Sequence, residues 1–205
     1  MNNNVYKFIK RTFDIFFSLI GILLLIPIAV VIKFIFILNG DFNSIFYFQT
    51  RIGKDGKNFT LYKFRSMVPN ADKQLEKLLN ENKKIKLEYE KNKKIKNDPR
   101  VTKIGKFLRR TNIDELPQLI NVFTNKMSII GNRPYLPKEV KDMGEYYNDI
   151  VCVKPGITGL WQICRKNNKT FEYRCKIESQ YCKKMCLRTD IKILFETVIV
   201  VIKGL

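Results

Sequence analysis

The stretch IFFSLIGILLLIPIAVVIKFIFIL, residues Ile15 to Leu38, contains one charged residue, Lys33, and decides the fold. Its uninterrupted apolar part, Ile15 to Ile32, has 18 residues. A straight helix of that length covers about 27 Å, which is the short edge of what crosses the hydrocarbon core of a bilayer. No small-x-small cleavage pattern follows it, which argues against a cleaved signal peptide. The stretch therefore predicts a membrane-embedded helix.

Proline in the middle of this stretch leaves two arrangements open. Pro27 removes a backbone donor and clashes with the preceding turn, so a helix kinks or breaks there. Basic residues flank both ends of the stretch, with Lys7, Lys10 and Arg11 before it, and positive charge favours the cytoplasmic side. A re-entrant hairpin that enters and leaves on one face fits this pattern, and so does a single kinked spanning helix.

Net charge and residue types limit the function classes. The chain has 205 residues, with 38 Lys and Arg against 19 Asp and Glu, a formal charge of +19. Such a protein binds polyanions, and the apolar stretch favours an anionic membrane face or phosphorylated substrates over nucleic acid. Histidine is absent, which excludes Ser-His-Asp and Cys-His catalysis and His-ligated metal sites. The five cysteines form no Cys-x-x-Cys pair, so we expect idle thiols in a reducing compartment.

The rest of the chain predicts a mixture of short elements. Aromatic and β-prone residues predict strands at Phe46–Thr50 and Phe59–Phe64, around a turn at Gly53–Lys57. Lys, Glu and Asn dominate an insert at residues 71–97, where opposite charges recur at helical spacing, and we expect an exposed helix there. Residues 189–203 predict an amphipathic helix that lies in the membrane interface or covers the core.

Two adjacent carboxylates, Asp114 and Glu115, are the leading candidates for chemistry. Thr111 or Asn112 fits the cap of a helix, with both carboxylates in its first turn. The helix dipole and the nearby Arg109 would keep both ionised. An ionised Asp is a usable nucleophile toward phosphorus, and adjacent carboxylates suit Mg²⁺. An ordinary stabilising first turn fits the same residues.

Several cations and glycines are weaker candidates. Arg133, directly before Pro134, offers a planar fork for a phosphate oxygen. Lys63 and Arg65 add positive charge on a predicted strand. Glycines at 156 and 159 would let backbone amides approach a phosphate, although a lone Gly-x-x-Gly is weak evidence. Each of these residues fits a surface cation or a plain turn equally well.

At these residues the chain resembles the bacterial sugar transferase family, the monotopic phosphoglycosyl transferases. The similarity covers nearly the whole length, in seven blocks in the family's order. The blocks are Lys10-Arg11-x-x-Asp14 with the Pro27 segment, Phe48-Gln49-x-Arg51-Ile52-Gly53, Lys63-Phe64-Arg65-Ser66-Met67, Asp98-Pro99-Arg100-Val101-Thr102, Asp114-Glu115-Leu116-Pro117-Gln118-Leu119, Met127-Ser128-Ile129-Ile130-Gly131-Asn132-Arg133-Pro134 and Lys154-Pro155-Gly156-Ile157-Thr158-Gly159-Leu160-Trp161-Gln162.

The resemblance implies a fold and a reaction. The fold is α+β and mainly helical, with a re-entrant membrane hairpin over residues 1–40, broken near Pro27, and a cytosolic catalytic domain over residues 41–205. In the reaction, an aspartate attacks the β-phosphate of a UDP-sugar and releases UMP, and the phosphosugar then passes to undecaprenyl phosphate. The location implied is the bacterial inner membrane, with the catalytic domain on the cytoplasmic face.

By motif, the resemblance also implies residue roles. Asp114 is the nucleophile, and Glu115 assists with Mg²⁺ and with activation of the acceptor, so that both carboxylates are metal ligands. Arg109 and Arg133, with Pro134 beside it, contact the donor. Lys63 and Arg65 are weaker substrate-binding candidates. The expected partners are the UDP-sugar, undecaprenyl phosphate, membrane lipid and a second copy in a homodimer, but no nucleic acid.

The insert and the run from Pro134 to Glu139 resemble the hexose-1-phosphate branch, which starts capsule, exopolysaccharide or O-antigen units. Many members of that branch carry a further N-terminal membrane region, so this chain is expected to be the minimal catalytic form or a trimmed piece. Three departures from the family pattern bear on sugar specificity and rate. They are Asn132 in place of a proline, Arg165-Lys166 in place of a glycine-containing turn, and Glu178 in place of an aspartate.

Two other function classes remain. A membrane-anchored nucleic-acid-binding protein fits the net charge, but the charge is spread along the chain and no recognition motif occurs. A non-catalytic membrane scaffold of the same family fits the departures. Retention of Asp114 and Glu115 together with Arg109 and Arg133 argues against it.

Overall fold

The computed structural model describes residues 3–164 and 170–202, with side chains from residue 4 to residue 200. Its elements confirm the expected mainly helical fold with small sheets. The strands are β1 Phe46–Ile52, β2 Asn58–Phe64, β3 Ser128–Ile130 and β4 Gly156–Thr158. The helices are α1 Asn3–Leu38, α2 Ala71–Glu81, α3 Lys83–Asn92, α4 Lys103–Arg110, α5 Gln118–Phe123, α6 Tyr147–Val151, α7 Leu160–Cys164, α8 Phe171–Lys183 and α9 Leu187–Ile202.

The two sheets each contain two strands. β1 and β2 form an antiparallel hairpin in which Phe46 pairs with Phe64 and Arg51 with Phe59, around a turn at Lys54–Gly56. β3 and β4 pair in parallel. Their backbones meet closely at Gly131 and Gly156. A Cβ on either glycine would collide with the backbone of the opposite segment. Glycine is needed here because only a residue without a side chain permits this approach.

Helix α1 is helical on both sides of Pro27. Within the described residues it is the one helix long and apolar enough to cross a membrane. The re-entrant hairpin expected from the sequence is not confirmed. Most of the large apolar side chains of α1 are exposed. One stripe of α1 side chains at helical spacing is buried against the rest of the protein. The stripe consists of Tyr6, Asp14, Ser18, Leu25, Ile32 and Phe36.

Polar contacts attach the first half of α1. Asp190 of α9 accepts hydrogen bonds from the Tyr6 hydroxyl at 2.8 Å and from the Lys10 ammonium at 2.6 Å. Asp14 accepts from the Ser128 hydroxyl at 3.0 Å and from the Ile129 amide at 2.8 Å. Buried charged groups require such partners, and these partners fix α1 against α9 and β3.

Apolar packing attaches the second half of α1. Leu25, Ile32 and Phe36 form one buried cluster with Ile45, Phe64 and Leu108. This cluster joins α1 to β2 and α4. Both halves of α1 therefore pack against the same globular domain.

Two predicted helices differ from the structure in detail. The charged insert forms two helices separated at Asn82, because the Asn82 side chain accepts from the amides of Lys84 and Ile85 and so caps the second helix. The predicted C-terminal helix, 189–203, corresponds to α9. The last residue of the predicted range, residue 203, lies outside the described residues. On α9 the exposed apolar side chains are Ile191, Phe195 and Val198.

Candidate active site

The Asp114–Glu115 pair lies in a short turn between α4 and α5. Asn112 adopts the left-handed conformation, with φ of 57°, and ends α4 before a three-residue 3-10 turn, Ile113–Glu115. α5 begins only at Gln118. Asn112 is thus in the N-cap position and the two carboxylates lie in the first turn, as predicted, but that turn is a 3-10 turn and Asn112 makes no side-chain capping hydrogen bond. Side chains from elsewhere in the fold also act on the ionisation of both acids.

Asp114 is buried, with 7% of its surface exposed. Within the described residues, its carboxylate takes part in no ion pair and no hydrogen bond with another side chain. Burial raises the pKa of Asp114 to about 6, and Glu115 adds to this, while Lys63 and Arg109 oppose it. For Asp114 the cost of burial is larger than the combined effect of the nearby cations. The ionised form still dominates at neutral pH.

Glu115 has the opposite behaviour. Burial favours its neutral form, but the ammonium of Lys63, 2.7 Å from Glu115 Oε1, and the charges of Arg133 and Arg51 outweigh burial and lower its pKa. Two adjacent carboxylates thus differ in pKa because only one has a direct cationic partner. Such separation is typical of sites in which two carboxyl groups have different tasks.

Lys63 reaches Glu115 because β2 is fixed to α5. The Asn121 side chain on α5 donates to the Thr60 carbonyl at 2.7 Å and accepts from the Tyr62 amide at 3.0 Å. Asn121 is 1% exposed, so it holds the strand that carries Lys63 beside the turn that carries Glu115. Its role in the site was missed by sequence reasoning, because the contact joins residues about sixty positions apart.

Arg109 and Arg65, both predicted to bind substrate, lie in different environments. Arg109 donates from Nε to the Ser66 hydroxyl at 2.8 Å and is close enough to Asp114 to oppose the rise in its pKa. Arg65 instead donates to both carboxylate oxygens of Asp41, at 2.9 and 2.8 Å, and stacks over Phe36 at 4.9 Å. The structure brings Arg109 to the carboxylate pair and places Arg65 at the end of α1.

Arg133 and Pro134 lie in a loop that a second arginine supports. The guanidinium of Arg51 donates to the Pro134 carbonyl at 3.0 Å, and its Nε has no partner although it is buried. Burial and the charge of Arg133 lower the pKa of Arg51 to about 10. Arg51 was not predicted as a site residue, although it lies in one of the blocks that carried the resemblance. Arg51, Lys63, Arg109 and Arg133 together surround the two carboxylates with positive charge.

Glu178 supports the loop that contains Arg133 through a buried hydrogen bond. It is 1% exposed, its Oε1 accepts from the Arg133 amide at 3.0 Å, and its Oε2 has no hydrogen-bond partner among the described residues. Burial raises the pKa of Glu178 to about 7 against the effect of that hydrogen bond. Arg174 lies one turn earlier on α8 and stacks over Tyr135 at 5.4 Å and over Trp161 at 5.9 Å. The acid that departs from the family pattern is therefore a buried support for the loop.

This geometry can be compared with known proteins. The family described as bacterial sugar transferase matches residues 5–204.

The chain belongs to the bacterial sugar transferase family.

Three relatives show the range of this family. The chain is 41% identical to the UDP-galactose-lipid carrier transferase of Erwinia amylovora, over 99% of this chain and 43% of that protein. It is 37% identical to the UDP-glucose:undecaprenyl-phosphate glucose-1-phosphate transferase of Escherichia coli (strain K12), over 96% of this chain and 40% of that protein. It is 35% identical to the exopolysaccharide production protein ExoY of Rhizobium meliloti (strain 1021), over 92% of this chain and 83% of that protein. The chain spans about two fifths of the length of the first two.

The remaining predictions concern Asn132 and the glycines. Asn132 donates to the Ile150 carbonyl and to the Cys182 thiol, both at 3.1 Å. Its carbonyl accepts from the amide of residue 156 at 2.7 Å, so that amide is engaged in joining the two chain segments. Gly159 packs against the Gly131 carbonyl. The idea that these glycines open amides to a phosphate is therefore wrong for Gly156, whereas for Gly159 it stays a prediction. Arg165 and Lys166 lie outside the described residues.

A metal site between Asp114 and Glu115 would depend on the substrate. Within the described residues, no group of three or more Asp, Glu or Cys side chains is placed to hold a metal ion. Asp114 and Glu115 supply hard oxygen ligands, and Glu115 is held in its ionised form by Lys63. Mg²⁺ is commonly bound by one or two carboxylates together with substrate phosphates. The residues present fit that pattern.

Proposed function

We propose that this protein is a phosphoglycosyl transferase that moves a sugar-1-phosphate, from a UDP-hexose, to undecaprenyl phosphate. The observation that carries the proposal is the buried carboxylate of Asp114, which has no side-chain partner within the described residues and lies next to an ionised Glu115, among Lys63, Arg109 and Arg133. This arrangement suits a nucleophile that meets a diphosphate, because the cations attract the phosphates while the carboxylate stays free to react. The printed names of the relatives support the same reaction. The product would start a capsule, exopolysaccharide or O-antigen unit.

In the proposed reaction an Asp114 oxygen attacks the β-phosphorus of the UDP-sugar. The bond from that phosphorus to the bridging oxygen breaks, and UMP leaves with the bonding electrons. A phosphosugar-aspartyl intermediate remains. An oxygen of undecaprenyl phosphate then attacks the same phosphorus, and the Asp114 carboxylate is released. Arg109 and Arg133 hold the donor phosphates, and Lys63 fixes Glu115 where it assists the incoming phosphate. Mg²⁺, held by Asp114 and Glu115, would neutralise phosphate charge when bound.

We also propose that α1 enters the membrane and returns on one side, with the globular domain on the cytoplasmic face of the inner membrane. Both halves of α1 pack against that domain, while its other faces expose large apolar side chains such as Phe16, Leu24 and Phe34. Such side chains are suited to the hydrocarbon of a bilayer. The exposed apolar residues on α9 fit the membrane interface.

The test is UMP release from a panel of UDP-sugars in the presence of undecaprenyl phosphate and Mg²⁺. We expect one UDP-hexose to be used, and Asp114→Asn to reduce its turnover by at least about 10³-fold. Asp55→Asn is the matched control, because Asp55 is an exposed carboxylate in the β1–β2 turn. Folded, membrane-bound wild type that releases no UMP with any sugar would contradict the proposal and favour the scaffold.

A further inference from the structure

An apolar cavity of about 470 Å³ lies between the second half of α1 and the segment formed by α4 and the Asp114 turn. On one side it is lined by Pro27, Val31 and Ile35, and on the other by Ile104, Phe107 and Ile113. All its lining side chains are hydrocarbon. Its volume lies in the range of pockets that bind small organic ligands.

The cavity adjoins the reacting carboxylate. Ile113 lines it, and Asp114 is the next residue in the same 3-10 turn, so their Cα atoms are about 3.8 Å apart. On α4, Leu108 lines the cavity. The next residue, Arg109, lies close enough to Asp114 for its positive charge to act on that carboxylate. A ligand with a phosphate at Asp114 and a hydrocarbon chain joined directly to it would place that chain in the cavity.

We propose that this cavity binds the phosphate-proximal isoprene units of the polyprenyl phosphate acceptor, an inference that rests on the proposed function. The cations beside Asp114 complement the phosphate, and the cavity walls complement the chain. Val31 and Ile35 are 57% and 37% exposed, so the cavity continues onto the apolar face of α1 and the rest of the chain can pass into the bilayer. A diacyl phospholipid fits less well, because glycerol separates its phosphate from its acyl chains.

The first experiment compares two substitutions of neighbouring valines. Val31→Trp fills the cavity, whereas Val30→Trp adds the same ring to a residue that is 65% exposed and does not line it. We expect Val31→Trp to raise the KM for undecaprenyl phosphate by about tenfold or more, because a filled site cannot accept the chain without displacement. The burst of UMP that Val31→Trp releases without acceptor should match that of wild type. Val30→Trp should match wild type in both the burst and the KM for undecaprenyl phosphate.

The outcomes separate this inference from the proposed function. A wild type that gives neither a burst nor turnover would count against the proposed function itself. A normal burst together with an unchanged acceptor KM in Val31→Trp would overturn the cavity assignment, and so would an equal rise in KM for both tryptophan variants, since that would reflect a general effect of the membrane.

A second measurement does not depend on the folding of a variant. A polyprenyl phosphate with a diazirine on its first isoprene units should label the peptide that contains Ile104 and Phe107 in the wild type. Excess undecaprenyl phosphate should reduce this labelling, and excess phosphatidylethanolamine should not. Equal competition by the phospholipid, or no labelling of that peptide, would overturn the assignment.

Discussion

Glu178 is a buried acid whose charged form is disfavoured by its burial. The groups that face it are Arg133 through its backbone amide, Arg174 on the same helix and the side chain of Tyr135. Burial outweighs the favourable charges and hydrogen bond, so the pKa rises from 4.5 to about 7. At pH 6 the folded protein therefore binds a proton at Glu178 that the unfolded chain releases.

This shift predicts a pH-dependent stability. The contribution of Glu178 is fully present below pH 4.5 and is lost as the pH rises through about 7. Relative to Glu178→Gln, the apparent Tm of the wild type should therefore fall over that interval, on the order of 5 °C. Fluorescence of Trp161 in detergent micelles measures this. Glu172→Gln, at an exposed site on the same helix, should follow the wild type, and parallel curves for Glu178→Gln would contradict the prediction.

At the level of single residues, the sequence pointed to the candidate site groups but not to their ionisation states. Asp114, Glu115, Arg109 and Arg133 were found from motif and charge alone. The different pKa values of the two acids were not, because they depend on burial and on Lys63, which comes from a strand fifty residues earlier. The ion pair between Arg65 and Asp41 was not foreseen for a related reason, since Asp41 follows the end of α1.

At the level of elements, the first turns of α1 share one carboxylate of α9 as an acceptor, in addition to the contacts of Arg11 with the Val122 and Phe123 carbonyls. Tyr6, Lys10 and Tyr181 all donate to Asp190, whose side chain is 7% exposed. Removal of that carboxylate leaves two tyrosine hydroxyls without their acceptor, and each unsatisfied buried group costs about 1–3 kcal/mol. The first turns of α1 should then separate from α9 before the rest of the fold is lost.

Asp190→Ala should therefore expose the start of α1 to protease. We expect trypsin to cleave after Lys7, Lys10 or Arg11 at least about tenfold faster than in wild type, since opening that costs 1.4 kcal/mol less is about ten times more populated. Asp149→Ala is the control, because Asp149 also pairs with a lysine but is 35% exposed. Equal cleavage of the two variants would show that Asp190 does not hold the helix.

The sequence predicted elements where the pattern was local. β1 and β2 were placed to within two residues, because aromatic and β-branched residues surround a polar turn. The apolar stretch alone begins at Ile15, whereas the helix begins at Asn3, within the segment 1–40 that the resemblance implied. The turns before Ile15 are held by Asp190 and Ser128, which no local pattern reveals. Asn112 was one of the two predicted caps, but the 3-10 form of the Asp114 turn was not predicted.

At the scale of the whole molecule, the packing of α1 restricts its place in a membrane. Tyr6 and Phe36 are both buried against the globular domain, so both ends of α1 lie beside it. If α1 spanned the bilayer, the domain beside it would have to span it too. A domain from a chain of net charge +19 cannot enter hydrocarbon, because each buried charge costs several kcal/mol.

Both ends of α1 and the domain should therefore be reached from one side of the membrane. Single cysteines at Asn2→Cys and Asn43→Cys, in a chain whose native cysteines are serine, mark the two ends. Cys152 and Cys186, both exposed, mark the domain when restored one at a time. We expect an impermeant maleimide to label none of the four in intact spheroplasts and all four after permeabilisation. Labelling of residue 2 in intact spheroplasts, with Cys186 protected, would establish a spanning helix and require the two halves of α1 to separate from the domain they share.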